Sequence, residues 1–127
     1  PLAKKYPLQM SGWHIKKRVH SSLDNNPWMV EAARQEVWMN PADAKARSIA
    51  DNEMVKVYND RGAILLPAKV TSRVMPGVVA VPQGAWHKPG PDGVDTNGSI
   101  NVLTTQRGSY MSNSNPQHTN LVEVVRA

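Results

Sequence analysis

The polar side chains that could bind a ligand are concentrated in a few short segments of the sequence. The first places Arg18 beside His20 and Ser21. A guanidinium offers two parallel N–H donors to a phosphate or a carboxylate, and the neighbouring imidazole and hydroxyl add further hydrogen-bonding groups. For Lys16 and Lys17 a solvated surface is the favoured interpretation, because charge runs usually face water.

A second group of polar residues coincides with a predicted helix start. Asn40 precedes a proline, which is typical of an N-cap, and Asp43 lies in the first turn of a helix predicted over 41–48. The free amides of a helix start can also hold an anion, and a carboxylate can accept two hydrogen bonds from a guanine edge. Capping and ligand binding are therefore both open for these two residues.

The segment 83–98 consists almost entirely of loop-forming residues and follows an apolar strand. Long loops in small domains are usually functional or disordered. Gln83 and Trp86 lie at its start, where a barrel strand can fix them. They are therefore candidate ligand contacts, while a tryptophan that merely anchors a surface loop is the structural alternative.

His87 follows directly and could be combined with Asp92 and Asp95 into a metal site. Their spacing matches no known ligand pattern, so no metal site is predicted. The chain has no cysteine, which excludes thiolate-bound metals and clusters within it.

Two carboxamides complete the set of candidates. Asn101 and Gln117 can each donate and accept hydrogen bonds, which suits the mixed edge of a heterocycle. Thr104 is interpreted as structural. For His118 a ligand contact and a loop histidine bonded to backbone are equally open.

Alternation of apolar and polar residues predicts the elements that position these side chains. A six- to seven-stranded barrel is expected, with one helix at 41–48 and weak helical character after Trp28. Pro67 interrupts one strand and indicates an edge or a bulge. The predicted strands lie near 37–39, 54–59, 63–70, 78–82 and 120–125, with a further short strand possible at 7–10.

Composition limits the partners. The 127 residues suit one domain, and the formal net charge of +5 favours an anionic partner such as a nucleotide, a nucleic acid or an acidic protein. No apolar run approaches the roughly 20 residues of a membrane span, so direct membrane insertion is not expected. The polar start without methionine leads us to expect a fragment of a longer polypeptide.

Several motifs in a fixed order carry a more specific signal. They are Arg18-Val19-His20-Ser21, Asn40-Pro41-Ala42-Asp43-Ala44, Ile49-Ala50-Asp51-Asn52-Glu53, Val55-Lys56-Val57-Tyr58-Asn59, Gln83-Gly84-Ala85-Trp86-His87, Asn101-Val102-Leu103-Thr104 and the segment 115–124. Together these motifs resemble the C-terminal domain of the dimethyl sulfoxide reductase family of molybdenum enzymes, and they are most similar to its membrane-associated, anaerobic catalytic subunits.

The resemblance implies a mainly-β fold, a double-psi β-barrel of the aspartate-decarboxylase-like type with one or two short helices. Residues 1–127 would be a single domain that helps to hold bis(molybdopterin guanine dinucleotide) with its molybdenum. The metal ligand and an iron–sulfur cluster would lie in absent parts, so no catalytic or metal-ligating residue is expected here. Cofactor contacts are predicted from Arg18, His20, Ser21, Asn40, Asp43, Gln83, Trp86, Asn101 and Gln117.

The same resemblance implies partners and a location. The chain would associate with the rest of its own catalytic subunit, an iron–sulfur electron-transfer subunit and a membrane anchor subunit, at the periplasmic face of a membrane. The whole enzyme would reduce dimethyl sulfoxide or related S- and N-oxides in anaerobic respiration, and this chain alone would be inactive. Ser48 and Asn52 replace glycines that are common in the family, and Asn tolerates a left-handed backbone.

Two other functions fit parts of the sequence less well. A small basic barrel could bind single-stranded nucleic acid, but its four tryptophans are scattered rather than interleaved with basic residues. A self-cleaving aspartate decarboxylase would need a Gly-Ser dipeptide. Gly98-Ser99 and Gly108-Ser109 provide one, in segments that do not resemble that enzyme's cleavage region.

Overall fold

Alternating residues place one face of each strand inside a closed, six-stranded barrel. The computed structural model describes residues 1–127, and the strands follow one another around the barrel as β1-β5-β2-β4-β3-β6. In chain order the strands are β1 (Leu8–Trp13), β2 (Val37–Met39), β3 (Met54–Tyr58), β4 (Ala63–Val70), β5 (Val78–Pro82) and β6 (Asn120–Arg126).

The predicted strands are confirmed to within one or two residues, and the possible strand at 7–10 is β1. Three short helices decorate the barrel, of which the helix at 41–48 was predicted and ends earlier, at Ala46. The helices are α1 (Leu2–Lys5), α2 (Pro27–Ala32) and α3 (Pro41–Ala46), and Ile100–Val102 forms a 3-10 turn. None of these helices has the length and apolar character needed to cross a membrane.

The barrel interior is filled by a core of apolar side chains. Val55 and Val57 of β3 face Val122 and Val124 of β6 in the interior, and all four are completely buried. Burying such a side chain contributes about 1.5–3 kcal/mol. The core therefore fixes the strand register, because a slip of one residue would turn these valines outward.

Strand register also defines the two ends of the barrel. Strands β1 and β5 are parallel and finish together at Trp13 and Pro82; we call this the groove end. Strands β2 and β4 are parallel and finish together at Met39 and Val70, at the far end, because β2 runs antiparallel to β5. Loops after β1 and β5 thus emerge at the groove end.

The expectation of an edge or bulge at Pro67 is wrong. The barrel is closed and has no edge, and Pro67 pairs with Met54 inside β4. Residues up to Pro67 pair with β3, whereas Ala68 onward pairs with β2. Strands β2 and β3 flank β4 on opposite sides. The Leu65 N–H points away from β3, to the Asp95 carbonyl, so by alternation the Pro67 nitrogen also faces the β2 side, where pairing with β2 begins only at Ala68.

Ser48 and Asn52 both adopt the left-handed backbone that the replaced glycines would favour. Their φ angles are 55° and 64°, respectively. Asn52 is accommodated in the turn after α3, where its N–H donates to the Ala68 carbonyl at 2.8 Å. The far end therefore keeps its turn geometry without glycine.

Candidate functional site: a groove at one end of the barrel

Seven of the nine predicted site residues belong to segments at the groove end. Because β1 and β5 finish side by side, the segment after each begins there, and the segment before β6 returns to the same place. The seven residues are Arg18, His20, Ser21, Gln83, Trp86, Asn101 and Gln117.

A cavity of about 490 Å³ lies between these segments. Ser21, Trp86 and Asn101 line it, together with His87 and Ser99. The indole of Trp86 is oriented by its Nε1–H, which donates to the Ser21 carbonyl at 2.7 Å, yet half of the residue is exposed. The cavity thus offers a fixed aromatic surface bordered by hydroxyl, imidazole and amide groups.

A second cleft of about 340 Å³ shares Asn101 with the first. Its lining contains no hydrophobic residue and includes Arg107, Asn113 and Asn115. The Asn101 side chain is exposed and makes no hydrogen bond within the chain. The two cavities therefore form one groove, partly aromatic and partly polar, with an uncommitted amide where they meet.

The sequence predicted a ligand contact from Arg18, but in the structure its guanidinium is bound by other groups of the chain. The residue is buried, and its Nη1 pairs with the Asp24 carboxylate. Its Nη2 donates to Gln35 Oε1 at 2.9 Å and to the Gln83 carbonyl at 2.7 Å. Arg18 thus connects the segment after β1 to the loop after β5, and its buried Nε has no hydrogen-bond partner.

Two carboxylates that were not among the predicted cofactor contacts organise the groove wall. Asp24 accepts from the Trp86 backbone N–H at 2.7 Å and from Asn97 Nδ2 at 3.0 Å. Asp95 is completely buried and accepts from the N–H groups of Lys88 and Ser99, each at 2.6 Å. The only signal in the sequence was that both lie among loop-forming residues.

Gln83 lies between two histidines. Its Nε2 is 2.6 Å from Nε2 of His14 and 3.3 Å from Nδ1 of His20, and the two rings meet edge to face at 5.0 Å. His14 was not among the predicted site residues. The basic segment and the loop after β5 therefore meet through side chains as well as through Arg18.

Gln117 lies beside Gly12, near the end of β1. A Cβ on Gly12 would contact Gln117 Cβ and Oε1 at 3.4 Å and Ile100 Cδ1 at 3.2 Å. Its neighbour His118 is 3.3 Å from the Ser11 hydroxyl through Nδ1, which favours the structural interpretation for that histidine. Gln117 is thus close to the turn that carries Asn101.

Asn40 and Asp43 do not join this group, because β2 carries them to the far end. Asn40 Oδ1 caps α3 through the Ala42 N–H at 2.9 Å, and its Nδ2 donates to the Val74 carbonyl at 2.7 Å. Asp43 accepts from the Gly77 N–H at 2.7 Å. The expectation that all nine residues converge is therefore wrong for these two, and both tie α3 to the turn before β5.

His87, Asp92 and Asp95, the candidate metal ligands of the sequence, contact other groups of the chain. His87 Nδ1 is 3.4 Å from Asp95 Oδ1, whose other contacts are backbone amides. Asp92 accepts from the Val94 N–H at 3.1 Å. No three histidine or carboxylate side chains come together as metal ligands would.

The donors in the groove fit a flat, polar heterocycle that carries phosphate groups. Trp86 offers an aromatic face, and Asn101 offers an amide that both donates and accepts. Gln117 lies outside the lining of both cavities, beside Gly12 and Ile100. Arg107 adds a positive charge in the polar cleft.

Comparisons with known proteins agree with this chemistry. The family model described as "Molydopterin dinucleotide binding domain" matches residues 8–121. The dimethyl sulfoxide reductases DmsA of Haemophilus influenzae and Escherichia coli are 52% and 53% identical to this chain, over 99% and 98% of its length. The dimethyl sulfoxide/trimethylamine N-oxide reductase of Cereibacter sphaeroides is 39% identical over 94% of the chain.

The chain spans only about 16% of the length of these relatives. Among solved structures, acetylene hydratase from Pelobacter acetylenicus superposes on 99% of this chain and 19% of its own, with a TM-score of 0.83 and 16% identity, which establishes the likeness of fold. With the family match over nearly its whole length and relatives above half identity, the chain belongs to the molybdopterin dinucleotide binding domain family.

Proposed function

We propose that the groove binds part of bis(molybdopterin guanine dinucleotide). The observation that carries this proposal is the position of Asn101, whose free amide lies where the aromatic cavity and the polar cleft meet. A dinucleotide likewise joins flat heterocycles to a charged pyrophosphate. The family match supports the dinucleotide and lends no support to the nucleic-acid alternative.

The residues of the groove divide the work of binding. Trp86 packs against a flat ring, while Ser21, Asn101 and Gln117 hydrogen-bond to ring edges. Arg107 and the amides of the polar cleft face the anionic groups. Arg18 and Asp24 act indirectly, by holding the loops that carry these contacts. When bound, the cofactor supplies redox and oxygen-transfer chemistry, and this chain contributes binding and orientation.

We also propose the double-psi topology for the barrel. Two parallel pairs, β1 with β5 and β2 with β4, are joined by antiparallel pairs in one closed sheet. This repeated arrangement supports two interlocked halves of similar connectivity.

For the whole protein, we propose that residues 1–127 are the C-terminal domain of a larger catalytic subunit that reduces dimethyl sulfoxide or related S- and N-oxides in anaerobic respiration. The support is the names of the relatives and the small share of their length that this chain covers. The subunit would work with an iron–sulfur subunit and a membrane anchor on the periplasmic face. The isolated chain would show no reductase activity.

The test compares two asparagines in the complete catalytic subunit. Asn101→Ala removes a groove amide, whereas Asn40→Ala removes a helix cap at the far end. An unpaired polar group at a buried contact costs about 1–3 kcal/mol, which is about tenfold to a hundredfold in cofactor affinity. Molybdenum and released pterin per subunit should therefore fall for Asn101→Ala, while the melting temperature of the cofactor-free subunit should stay unchanged.

Asn40→Ala should do the reverse, lowering the melting temperature by loss of a cap worth about 0.5–2 kcal/mol while the folded enzyme keeps its cofactor. Adding Gln117→Ala to Asn101→Ala should deepen the cofactor loss. Full molybdenum content in that double variant would refute the proposed groove.

A further inference from the structure

A cavity of about 160 Å³, which we call the side cavity, lies next to the groove but is separate from it. It is lined by residues from α1, from the turn between β3 and β4, and from the segment that leads into β6. Thr105 lines both the side cavity and the polar cleft, so the two are neighbours. Because a water molecule takes about 30 Å³ of liquid volume, the side cavity has room for one molecule of about five non-hydrogen atoms.

The Tyr6 hydroxyl is an unused hydrogen-bonding group in the lining of the side cavity. Tyr6 is only 3% exposed, and its ring meets the Tyr58 ring edge to face at 6.1 Å. Its hydroxyl makes no hydrogen bond within the chain. The fully buried side-chain polar atoms without a partner are Trp13 Nε1 and Arg18 Nε, so the Tyr6 hydroxyl lies on the small part of the residue that remains accessible. It is therefore free to donate to a ligand in the cavity.

Two opposite charges lie side by side at the same cavity. Arg61 Nη1 is 3.5 Å from Asp60 Oδ1, and both residues belong to the lining. A guanidinium has further N–H donors and a carboxylate has a second oxygen, so both groups keep free hydrogen-bonding capacity after this contact. The lining therefore carries a dipole but no net charge. Lys5, whose ammonium lies 5.2 Å from the centre of the Tyr6 ring, is not among the lining residues.

The remaining wall of the side cavity is partly apolar. Leu2 of α1 and Leu121 of β6 both line it. Methyl groups that contact these leucines are removed from water, which favours binding. The cavity thus combines a hydroxyl donor, a pair of opposite charges and an apolar wall within a volume that suits one small molecule.

We infer that the side cavity is a second binding site for small S- or N-oxides, separate from the site of reduction. In such a molecule a formally negative oxygen is bonded to a formally positive sulfur or nitrogen, which carries methyl groups. The oxygen accepts from Arg61 and Tyr6, the positive centre faces Asp60, and the methyl groups contact the two leucines. Dimethyl sulfoxide and trimethylamine N-oxide are both of the size that the cavity admits. The choice of ligand rests on the proposed function, because S- and N-oxides are the substrates proposed for the whole protein.

Charged ligands suit the side cavity less well. A carboxylate that pairs with Arg61 is repelled by the adjacent Asp60, and an ammonium that pairs with Asp60 is repelled by Arg61. An uncharged molecule with a strong dipole can place one end against each residue. The lining therefore favours a dipolar oxide over an anion or a cation.

The experiment is fluorine NMR of the complete catalytic subunit labelled with fluorotyrosine, in the absence of an electron donor. The Tyr6 resonance is the one that disappears in Tyr6→Phe, and Tyr110→Phe identifies a control resonance from a tyrosine that is 94% exposed. A ligand this small binds no more tightly than about 0.04 mM, so the titration extends into the millimolar range. Dimethyl sulfoxide or trimethylamine N-oxide should shift the Tyr6 resonance to a plateau, while Tyr110 shows only a linear drift.

A linear drift at both tyrosines would mean that the oxides act only as co-solvents, and would overturn the inference. Acetone provides a matched probe, because it has the shape of dimethyl sulfoxide and a weaker dipole. Its titration midpoint at Tyr6 should lie at a higher concentration. Equal midpoints for acetone and dimethyl sulfoxide would contradict the assigned chemistry.

Variants of the charged pair test the orientation of the ligand. Arg61→Met should weaken oxide binding about tenfold by removing a charged donor, and Asp60→Asn should weaken it as well. Arg73→Met is the control, because Arg73 stacks on Trp38 and does not line the side cavity. Tighter binding of acetate than of either oxide, strengthened further by Asp60→Asn, would identify an anion site and overturn the inference.

Two outcomes separate this site from the groove, and neither depends on turnover. A plateau at Tyr6 in a subunit whose Asn101→Ala, Gln117→Ala variant keeps full molybdenum would support the side cavity and refute the proposed groove. Loss of molybdenum in that variant, with no plateau at Tyr6 in the parent subunit, would support the groove and overturn the side cavity.

Discussion

The Asp24 carboxylate accepts a hydrogen bond from the backbone N–H of Trp86 at 2.7 Å, across 62 positions of sequence. The same carboxylate pairs with the buried guanidinium of Arg18. A single buried acidic group therefore joins the segment after β1 to the segment after β5. The position of the indole in the groove depends on this link together with the hydrogen bond from its Nε1–H to the Ser21 carbonyl.

Replacing this carboxylate with an amide should weaken the fold. Asp24→Asn keeps the shape but leaves the Arg18 charge buried without a counterion, and breaking a buried pair costs about 3–5 kcal/mol. Urea unfolding should show a lower midpoint. The control is Asp60→Asn, because Asp60 is half exposed and its pair with Arg61 contributes little. Equal midpoints for both variants would show that Asp24 is not the link described.

Gly84 and Gly93 provide a matched pair of glycines with positive φ, at 95° and 78°. An Ala in this conformation costs about 1–2 kcal/mol at either position. At Gly84 the new Cβ would also lie 1.7 Å from the His20 carbonyl oxygen, whereas nothing lies within 4 Å at Gly93. Gly84→Ala should therefore lower the melting temperature clearly more than Gly93→Ala, and should alter Trp86 fluorescence. Equal effects would mean that the two loops do not touch as described.

Stability should fall in acid through two carboxylates near the far end. The Val70 N–H lowers the pKa of Asp51 below its ordinary value, and the Ala50 N–H does the same for the pKa of Glu53. Because the folded pKa is lowered, this stabilisation is fully present above the ordinary carboxyl pKa of about 4 and is lost as pH falls through the lowered values. Denaturant unfolding between neutral and acid pH measures the slope.

The variant Asp51→Asn, Glu53→Gln should flatten that slope. The free energy of unfolding of this variant should be lower than that of the parent at neutral pH, and the two values should become equal in acid. A slope identical to the parent's would show that neither carboxylate is stabilised in the fold.

The strands were predictable because their signal is local. Alternation over Met54–Tyr58 and the apolar run Val78–Pro82 determine buried faces without reference to the rest of the chain. Pro67 could not be interpreted from the sequence, because its tolerance depends on where the pairing of β4 with β2 begins, which no local pattern shows.

Of the candidate site, only the grouping of some residues could be predicted from the sequence. Ser21, Trp86 and Asn101 come together as expected, since the strands that precede or follow them share one end. Arginine in a loop usually faces solvent, so the sequence predicted that Arg18 contacts the ligand. Its burial could not be predicted, because it depends on Gln35 and Gln83, which are distant in the sequence. The sequence left helix capping and ligand contact both open for Asn40. The structure shows capping, because the direction of β2 carries Asn40 to the far end.

The strand pairing has a consequence for synthesis on the ribosome. β1 leaves the ribosome before every other strand, yet its neighbours in the barrel are β5 and β6. Leu8 therefore cannot pair with Val122 until β6 has been translated. Such distant pairing makes closure a late event in folding. The six strands can therefore enclose the barrel interior only after β6, the last strand in the chain, has been translated.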